Sequence, residues 1–399
     1  MKQALSIALV FGGPSPERDI SAGSLKPWVT YLDAEPGVDL QVVFIDLQFR
    51  AHRLSRRFWY TNTCADFVDD LGPDERLSDD TFDALLAAQD LIVPIMHGAY
   101  GEDGQFQQRL ERLGVPFLFS GSAALALSID KQATYEALSA HGFRVPDYRV
   151  IDSRGRSELE STLRWARSTL TPRMGPEGRR LCAVKPVCSG SSLGVTLCPD
   201  DERAFFEAVS KARRATAAPG AAAPSGGRDE RVMVEQVMSG IEFSVLVTDG
   251  PDGPCALVPT EVEARDALYD TRQKYLHGGG AVLHTPVRNA ALVAPIREAA
   301  SRAYALLELR HLARDDGFVE GGEVLITDVN GISGTGFSSF VFLQTSMVGL
   351  SHRDIIRWLV ERAAGVPLAE GQASAVGAPV EPARIHLLFG GATSERQVS

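Results

Sequence analysis

Two uninterrupted runs of apolar residues stand out in the first hundred positions of the chain. Ser6–Phe11 reads SIALVF and Leu91–Met96 reads LIVPIM, and a glycine-rich turn follows each run. A continuous apolar run that ends at a turn is typical of a strand buried on both faces. Both runs therefore predict central strands of a sheet, and a helical pattern begins at about Ser21.

Helical and extended patterns alternate along the rest of the chain. Helices are predicted over 133–142 and 155–170, and strands over Leu181–Pro186, Val232–Gln236 and Val324–Thr327. This alternation indicates an α/β protein with parallel strand pairing. A chain of 399 residues is too long for one hydrophobic core, so two or three domains are expected.

Composition narrows the class of protein. The net charge of −11 argues against the basic surface that nucleic-acid binding requires, although a local site could still bind an anion such as a nucleotide. No apolar run is long enough to span a membrane, and Met1–Ser6 lacks the charged and apolar regions of a signal peptide. The five cysteines form no CxxC pair, which predicts free thiols and a cytoplasmic location. They are Cys64, Cys182, Cys188, Cys198 and Cys255.

Two stretches have the composition of flexible segments, and one motif recurs. Residues 215–227 (ATAAPGAAAPSGG) read as a surface insertion, and 365–383 read as a linker. Ser6–Ser21 and Arg384–Ser399 align without a gap and are identical at eight of sixteen positions. The repeat predicts that a second copy of the same module starts at 384.

Three polar clusters could carry chemistry. The first is the loop His97–Gly104 (HGAYGEDG), which follows the second apolar strand at the edge where open α/β sheets bind ligands. A turn in which Asp103 caps the next helix would look the same. The second cluster is Lys185 with the loop Gly190–Gly194 (GSSLG), which offers N–H groups and hydroxyls to phosphate oxygens. It is not a Walker A loop, and a plain hairpin turn would fit the spacing equally well.

The third cluster is acidic. Asp328 and Asn330 lie two positions apart near the end of the predicted strand Val324–Thr327, so they share a face, and Arg314 and Asp316 lie shortly before that strand. Carboxylate and amide oxygens suit Mg²⁺ that also binds phosphate. A solvated acidic turn is the alternative.

Seven collinear segments resemble the D-alanine–D-alanine ligase family of the ATP-grasp superfamily, from about Ile7 to Ala364. They are GGPSPERDIS (12–21), HGAYGEDGQFQ (97–107), SIDKQATYEAL (128–138), VKPVCSGSSLGV (184–195), VEQVMSGIEFSV (234–245), YDTRQKYL (269–276) and DVNGISGTGFSS (328–339). The resemblance implies an α/β ATP-grasp fold with an N-terminal parallel α/β domain. The expected domains are 1–121, 122–239 and 240–364, with ATP held between the last two.

The resemblance also implies roles for residues at the ATP site. The residues expected to bind ATP are Lys131, Lys185, Ser192, Glu235 and Glu242. The two lysines would contact the phosphates, Glu235 the adenine amino group and Glu242 the ribose. Ser192 would cover the phosphates.

The metal and substrate sites follow in the same way. Asp316, Asp328 and Asn330 are expected to hold two Mg²⁺ ions, with Mn²⁺ as a possible replacement. The residues expected to be catalytic are Glu17, Ser191, Arg314 and Tyr275, and those expected to bind substrate are His97, Lys274 and Ser339.

Glu17 would receive the ammonium group of the first amino acid, and His97 would lie near its carboxylate. Lys274 and Ser339 would bind the second carboxylate. Tyr275 would help to close a lid formed by YDTRQKYLHGGG, because three glycines follow its charged part.

The implied activity is an ATP-dependent carboxylate–amine ligase that forms a dipeptide through an acyl phosphate, by default from two D-alanines. A relative that joins other amino acids in specialised metabolism, and a nucleotide-binding module without catalysis, are the alternatives. The expected partners are small amino acids, a second copy in a homodimer and a second ligase-like module in the same polypeptide. Binding to nucleic acid or membranes is not expected. A thiol role for Cys188 is a further alternative to a small buried residue.

The chain departs from the family pattern at two positions. Asp328 stands where the family usually has glutamate, so the metal-binding carboxylate is one methylene shorter. Ser333 stands where the family usually has proline. The Lys274–Tyr275 pair matches dipeptide-forming members, which favours an amine as the acceptor.

Overall fold

The computed structural model describes residues 4–152, 155–175, 178–190, 193–216, 229–250, 252–264 and 281–368. The helices in these ranges are α1 (Arg18–Leu32), α2 (Asp79–Ala87), α3 (Gln105–Leu113), α4 (Ser122–Ile129), α5 (Lys131–Ala140), α6 (Arg156–Thr169), α7 (Glu202–Thr216), α8 (Val293–Leu306), α9 (Phe340–Ser346) and α10 (His352–Ala364). The predicted helices are confirmed with small shifts, since α1 begins three residues before Ser21. None of the described helices combines the length and apolarity that crossing a bilayer requires.

The first sheet has the order β3-β2-β1-β4. Its strands are β1 (Leu5–Gly12), β2 (Val38–Ile45), β3 (Ala51–Arg53) and β4 (Leu91–Pro94). β1 pairs in parallel with β2 and β4, as predicted, and its side chains alternate between two cores. Ile7 and Leu9 face α1 and α10, whereas Ala8 and Val10 face α2 and α3. Burial on both faces explains the continuous apolar run.

The second sheet has the order β5-β9-β7-β6, with β8 also paired to β7. Its strands are β5 (Tyr148–Ile151), β6 (Arg173–Met174), β7 (Arg180–Pro186), β8 (Thr196–Pro199) and β9 (Val232–Glu235). Every pairing is antiparallel, so the expectation of parallel pairing holds only for the first sheet. One face packs on α6 and α7, and the other carries Lys185 and Glu235.

The third sheet has the order β13-β12-β10-β14-β15, with β11 also paired to β10. Its strands are β10 (Ile241–Gly250), β11 (Gly253–Ala256), β12 (Thr260–Glu263), β13 (Val282–His284), β14 (Leu312–Glu320) and β15 (Glu323–Asn330). All of its pairings are antiparallel. In the β14–β15 pair, Asp316 lies opposite Asp328 and Arg314 opposite Asn330, which brings the predicted acidic cluster onto two neighbouring strands.

Two helical segments pack on a sheet other than the one that their position in the sequence suggests. α4 and α5, expected in the central domain, contribute Ala124 and Leu138 to the core of the third sheet. α10 covers the first sheet, where Ile356 and Leu359 join Trp28 in one core. Leu368, inside the expected linker 365–383, is buried in that same core, so the folded unit extends at least to this residue.

Several predicted features lie wholly or partly outside the described residues. Within the expected insertion 215–227, Ala215 and Thr216 form the end of α7, and the remainder lies outside the description. The residues Ser191, Ser192, Lys274 and Tyr275, most of the expected linker and the repeat at 384–399 also lie outside it.

Candidate active site

A cleft forms where the loops after β1 and β4 meet the start of α5, the loop after β7 and the end of β15. Its first part is lined by Ser15, Pro16, Glu17, Gly98, Ala99, Asp103, Ile129, Cys188, Ser189, Gly190, Leu193 and Ala215. Its second part is lined by Glu102, Ser128, Ile129, Lys131, Ser189, Gly190, Asp328, Val329, Asn330 and Gly331. Ile129, Ser189 and Gly190 line both parts. Four of the seven segments in the resemblance contribute described residues to the second part: 97–107, 128–138, 184–195 and 328–339.

Glu17 lies at the start of α1, and only 5% of it is exposed. Its N–H donates to the hydroxyl of Ser15 at 3.1 Å, which fixes the turn between β1 and α1. A Cβ at Gly98, whose φ is +73°, would lie 2.6 Å from Oε2 of Glu17. Only glycine permits this approach, which explains the glycine after His97.

His97 is held from both ring nitrogens. Its Nδ1 lies 3.1 Å from Oε1 of Glu102, and its Nε2 lies 3.1 Å from the hydroxyl of Ser24 on α1. The other oxygen of Glu102 accepts the N–H of Gly98 at 2.7 Å. The structure therefore fixes the orientation of the His97 ring at the wall of the cleft, four per cent exposed. Both nitrogens already have partners, so a ligand would share or replace the contact with Ser24.

Lys131, the first residue of α5, reaches the centre of the second part of the cleft. Its Nζ donates to the carbonyl of Ser189 at 2.7 Å and lies 3.1 Å from Oδ1 of Asp328. Burial is the largest single influence and acts to lower the pKa of Lys131, but Asp328 together with Cys188 and Glu235 raises this pKa overall. A charged ammonium group thus stands between the loop after β7 and the acidic cluster.

Lys185 forms an ion pair that the sequence did not predict. Its Nζ lies 2.7 Å from Oε1 of Glu235, while Oε2 of Glu235 accepts the hydroxyl of Tyr135 at 3.0 Å. All three side chains are buried. Burial and the charge of Glu235 raise the pKa of Tyr135 well above its usual value, so the phenol remains protonated.

Tyr135 is the site residue that sequence reasoning missed. It lies four positions after Lys131 on the same helix, so the two side chains share one face. The four-residue spacing from Lys131 is the signal in the sequence that could have identified Tyr135. Its contact with Glu235 joins positions that are one hundred residues apart, and no local pattern indicates it.

The structure brings the residues of the acidic cluster together on β14 and β15. Arg314 donates to both oxygens of Asp316, from Nε at 2.9 Å and from Nη2 at 2.8 Å. Nδ2 of Asn330 donates to Oδ2 of Asp316 at 3.3 Å. Two carboxylates and an amide on adjacent strands are a hard-donor set that fits Mg²⁺. For Asn330 to offer its oxygen to the metal, its amide would have to turn over.

The remaining predicted residues lie at the margins of this arrangement. Glu242 stands on β10, half-buried and opposite Phe318. Ser339 precedes α9, and its buried hydroxyl has no hydrogen-bond partner among the described residues. Cys188 is half-buried, and burial and a hydrogen bond with Asp229 raise the pKa of its thiol, which disfavours a reactive thiolate.

Comparisons with known proteins match most of the chain. A family model described as D-ala D-ala ligase C-terminus matches residues 138–361, and one described as D-ala D-ala ligase N-terminus matches residues 6–120. A D-alanine--D-alanine ligase of Mycobacterium bovis is 32% identical over 290 residues, covering 70% of each chain. One of Prosthecochloris aestuarii is 28% identical over 375 residues, covering 90% of this chain and 97% of the relative.

Two solved structures share the architecture. The D-alanine-D-alanine ligase from Coxiella burnetii superposes with a TM-score of 0.69 at 24% identity, covering 90% of this chain and 95% of that chain. The VanG D-Ala:D-Ser ligase from Enterococcus faecalis superposes with a TM-score of 0.70 at 23% identity, covering 90% of this chain and 100% of that chain. At these identities the likeness establishes a shared fold.

Proposed function

The chain belongs to the D-alanine–D-alanine ligase family, and we propose that it joins two D-alanine molecules in an ATP-dependent reaction. The observation that carries this proposal is the meeting of a buried ammonium group, a hard-donor cluster and a buried carboxylate in one cleft. They are Lys131, the Asp316–Asp328–Asn330 set and Glu17. A ligase needs these three features to bind phosphate, metal and the substrate ammonium.

ATP would lie between the second and third sheets. Lys131 and Lys185 would bind its phosphates as point charges, with Ser191 and Ser192 covering them. Glu235 would accept the adenine amino group, and Glu242 would bind the ribose hydroxyls. The closeness of Lys185 to Glu235 supports a shared nucleotide site, because both side chains face the same space beside α5.

Asp316, Asp328 and Asn330 would hold two Mg²⁺ ions, or Mn²⁺ in their place. When bound, these ions would neutralise charge on the phosphates. The oxygen donors and their positions on neighbouring strands support this assignment. Arg314 would stabilise the phosphoryl group during transfer, and its bidentate contact with Asp316 orients the guanidinium group.

The amino acids would bind on the other side of the phosphates. Glu17 would receive the ammonium group of the first amino acid, with His97 near its carboxylate. Lys274 and Ser339 would bind the carboxylate of the second, and Tyr275 would help to exclude water. The unpartnered hydroxyl of Ser339 supports a ligand at that point.

The reaction would proceed in two steps. An oxygen of the first carboxylate attacks the γ-phosphorus, which breaks its bond to ADP and gives an acyl phosphate. The amine of the second amino acid then attacks the acyl carbon, phosphate leaves with the C–O electron pair, and the amine releases a proton. Positioning and charge neutralisation supply most of the rate enhancement in such transfers. Hydrolysis of the acyl phosphate is avoided only if water is excluded.

The repeat at 384–399 and the departures Asp328 and Ser333 favour a second candidate, a ligase of the same mechanism with other amino acids. We propose that another ligase-like module follows in the same polypeptide and that the protein is a cytoplasmic homodimer. We also propose the domains 1–121, 122–239 and 240–364, with the last one extended to Leu368 because this residue is buried in the core. The scattered cysteines support a reducing compartment.

A phosphate-release screen with pairs of D- and L-amino acids in Mg²⁺ and ATP tests the proposal. We expect D-alanine alone to release phosphate and to give a dipeptide by mass spectrometry. Lys131→Met should abolish release, whereas Lys26→Met, which loses a contact with exposed Asn62, should not. Dipeptide formation only from another pair would establish the second candidate. No dipeptide from any pair would refute both.

A further inference from the structure

The hydroxyl of Tyr135 is shared by three groups that belong to different elements. It donates to Oε2 of Glu235 at 3.0 Å, lies 3.3 Å from Nζ of Lys185 and lies 3.3 Å from the carbonyl oxygen of Thr327. Glu235 ends β9, Lys185 lies on β7, and Thr327 precedes Asp328 on β15. The Tyr135 side chain therefore lies between the second sheet and the third and contacts both.

The numbers of donors and acceptors determine which of these contacts are hydrogen bonds and which group donates in each. A phenol has one O–H donor, and the ammonium group of Lys185 can only donate, so it contacts an acceptor lone pair of the Tyr135 oxygen. The single phenol proton goes to Glu235 in preference to Thr327, because the bond to a carboxylate is charge-assisted and the distance is shorter. Glu235 is thus oriented by Lys185 on one oxygen and by Tyr135 on the other.

The two partners of Glu235 differ in freedom. Lys185 has a flexible stem and, in the function proposed above, turns towards the phosphates when ATP is bound. Tyr135 cannot turn away, since its ring is 1% exposed and packs against Val187, Met233 and, at 5.3 Å, the ring of Tyr148. Tyr135 is therefore the partner that remains to fix the Glu235 carboxylate.

We propose that Tyr135 is a positioning residue that sets the preference for adenine by holding the Glu235 carboxylate towards the base. This inference rests on the proposed function. A carboxylate fixed in place accepts the N–H of an adenine amino group but repels the carbonyl oxygen that hypoxanthine carries at the same position. A Glu235 that can rotate away would tolerate both bases.

The test uses the full chain and the variant Tyr135→Phe, which keeps the ring and removes the hydroxyl. The matched control is Tyr148→Phe, which removes a hydroxyl from the neighbouring, half-buried ring. We expect Tyr135→Phe to raise the KM for ATP and to reduce the preference for ATP over inosine triphosphate, each by about tenfold, the scale of one hydrogen bond to a charged group. The KM for the amino acid and the preference of the control should stay unchanged.

Calorimetric binding of ATP and inosine triphosphate to the same proteins separates this inference from the proposed function. If no amino-acid pair supports turnover but the variant loses its binding preference for ATP, the role of Tyr135 stands while the ligase activity fails. If turnover is normal and Tyr135→Phe keeps the full preference, the positioning role is refuted. A lower melting temperature with an unchanged preference would make Tyr135 a packing residue only. In a Glu235→Gln background, Tyr135→Phe should change the preference no further.

Discussion

The ammonium nitrogen of Lys131 lies 3.1 Å from Oδ1 of Asp328. Lys131 is proposed to bind phosphate and Asp328 to bind metal. Their opposite charges compensate each other when neither ligand is bound. Burial acts to lower the pKa of Lys131, but Asp328 together with Cys188 and Glu235 raises it overall, which keeps the lysine charged in the cleft. The negative charge at position 328 therefore holds Lys131, in addition to the metal-binding role proposed for it.

Replacing Asp328 separates charge from side-chain length. Asp328→Asn should lower kcat by at least about a hundredfold, the scale of a lost electrostatic stabiliser. Asp328→Glu, which keeps the charge and adds one methylene, should stay within about tenfold of the parent because Mg²⁺ accepts either carboxylate. Steady-state phosphate release across a Mg²⁺ titration measures both. A fully active Asn variant with unaltered Mg²⁺ dependence would remove Asp328 from the metal site.

Asn330 provides an independent check on the same cluster. We expect Asn330→Ala to lower kcat by at least about a hundredfold, because the γ-phosphate charge would lose part of its compensation. The control Asn289→Ala changes an exposed asparagine whose side chain accepts the N–H of Ala291, and it should leave kcat unaltered. Near-normal turnover of the Asn330 variant in Mg²⁺ would contradict the metal assignment.

The strands and the acidic cluster were predictable because their signals are local. The run SIALVF is apolar throughout because both faces of β1 are covered, and Asp328 and Asn330 share a face because strand side chains alternate. The pattern of apolar and polar residues over a few positions is enough to predict which faces of a strand are buried.

Contacts between distant segments were not predictable in the same way. The antiparallel order of the second sheet, the packing of α4 and α5 on the third sheet and the bond from Tyr135 to Glu235 depend on partners far along the chain. A lysine and a glutamate assigned to opposite ends of ATP, Lys185 and Glu235, also form an ion pair in the buried space beside α5. Charge neutralisation on burial, which local patterns do not report, decides that contact.

Asp315 is a buried acid without a role in the proposed chemistry. It is fully buried on β14, its neighbours across the strands are Val245 and Val329, and neither oxygen has a hydrogen-bond partner among the described residues. Burial raises the pKa of this carboxyl well above its usual value, and the charge of Asp316 adds to the effect. The folded chain therefore keeps a proton that the unfolded chain loses near pH 4.

This difference predicts a pH-dependent gain in stability from Asp315→Asn. Because the folded pKa is raised, the parent has its full stability below the unfolded pKa and loses stability as the pH rises through the folded pKa. The difference in unfolding free energy between the variant and the parent should be small near pH 4 and should grow at higher pH. Urea unfolding across this range measures it. A difference that does not change with pH would mean that Asp315 is neutralised by another group.

Glu35 connects the end of α1 to α10. Its carboxylate is 1% exposed and accepts hydrogen bonds from Arg353, at 2.9 Å, and from Arg357. We expect Glu35→Ala to lower the free energy of unfolding by about 1.5–3 kcal/mol, the value of hydrogen bonds to a charged group, because Arg353 is half exposed and Arg357 keeps Glu361 as a partner. Glu361→Ala removes a more exposed partner of Arg357 and should cost about 1 kcal/mol or less. If chemical denaturation gives the same loss of unfolding free energy for Glu35→Ala and Glu361→Ala, burial of Glu35 does not strengthen its ion pairs.

The C-terminal boundary of the folded unit follows from Leu368. α10 ends at Ala364, but Leu368 is 6% exposed in the core of the first sheet, and its N–H donates to Oε1 of Glu361 at 3.0 Å. A boundary at Ala364 would remove this apolar contact and leave Glu361 without that donor. The boundary predicted by composition alone therefore falls four residues too early for a stable fragment.

Fragments 1–368 and 1–364 test this boundary together with the tandem hypothesis. Fragment 1–368 should keep the melting temperature and ATP-dependent activity of the full chain, because every residue proposed for the site precedes 368. Fragment 1–364 should be less stable by about 1.5–3 kcal/mol, the value of burying one leucine side chain. The matched variant Leu368→Ser in the full chain should reproduce that loss. If fragment 1–368 fails to fold or to bind ATP, residues 369–399 belong to this module, and the repeat at 384–399 is not the start of another.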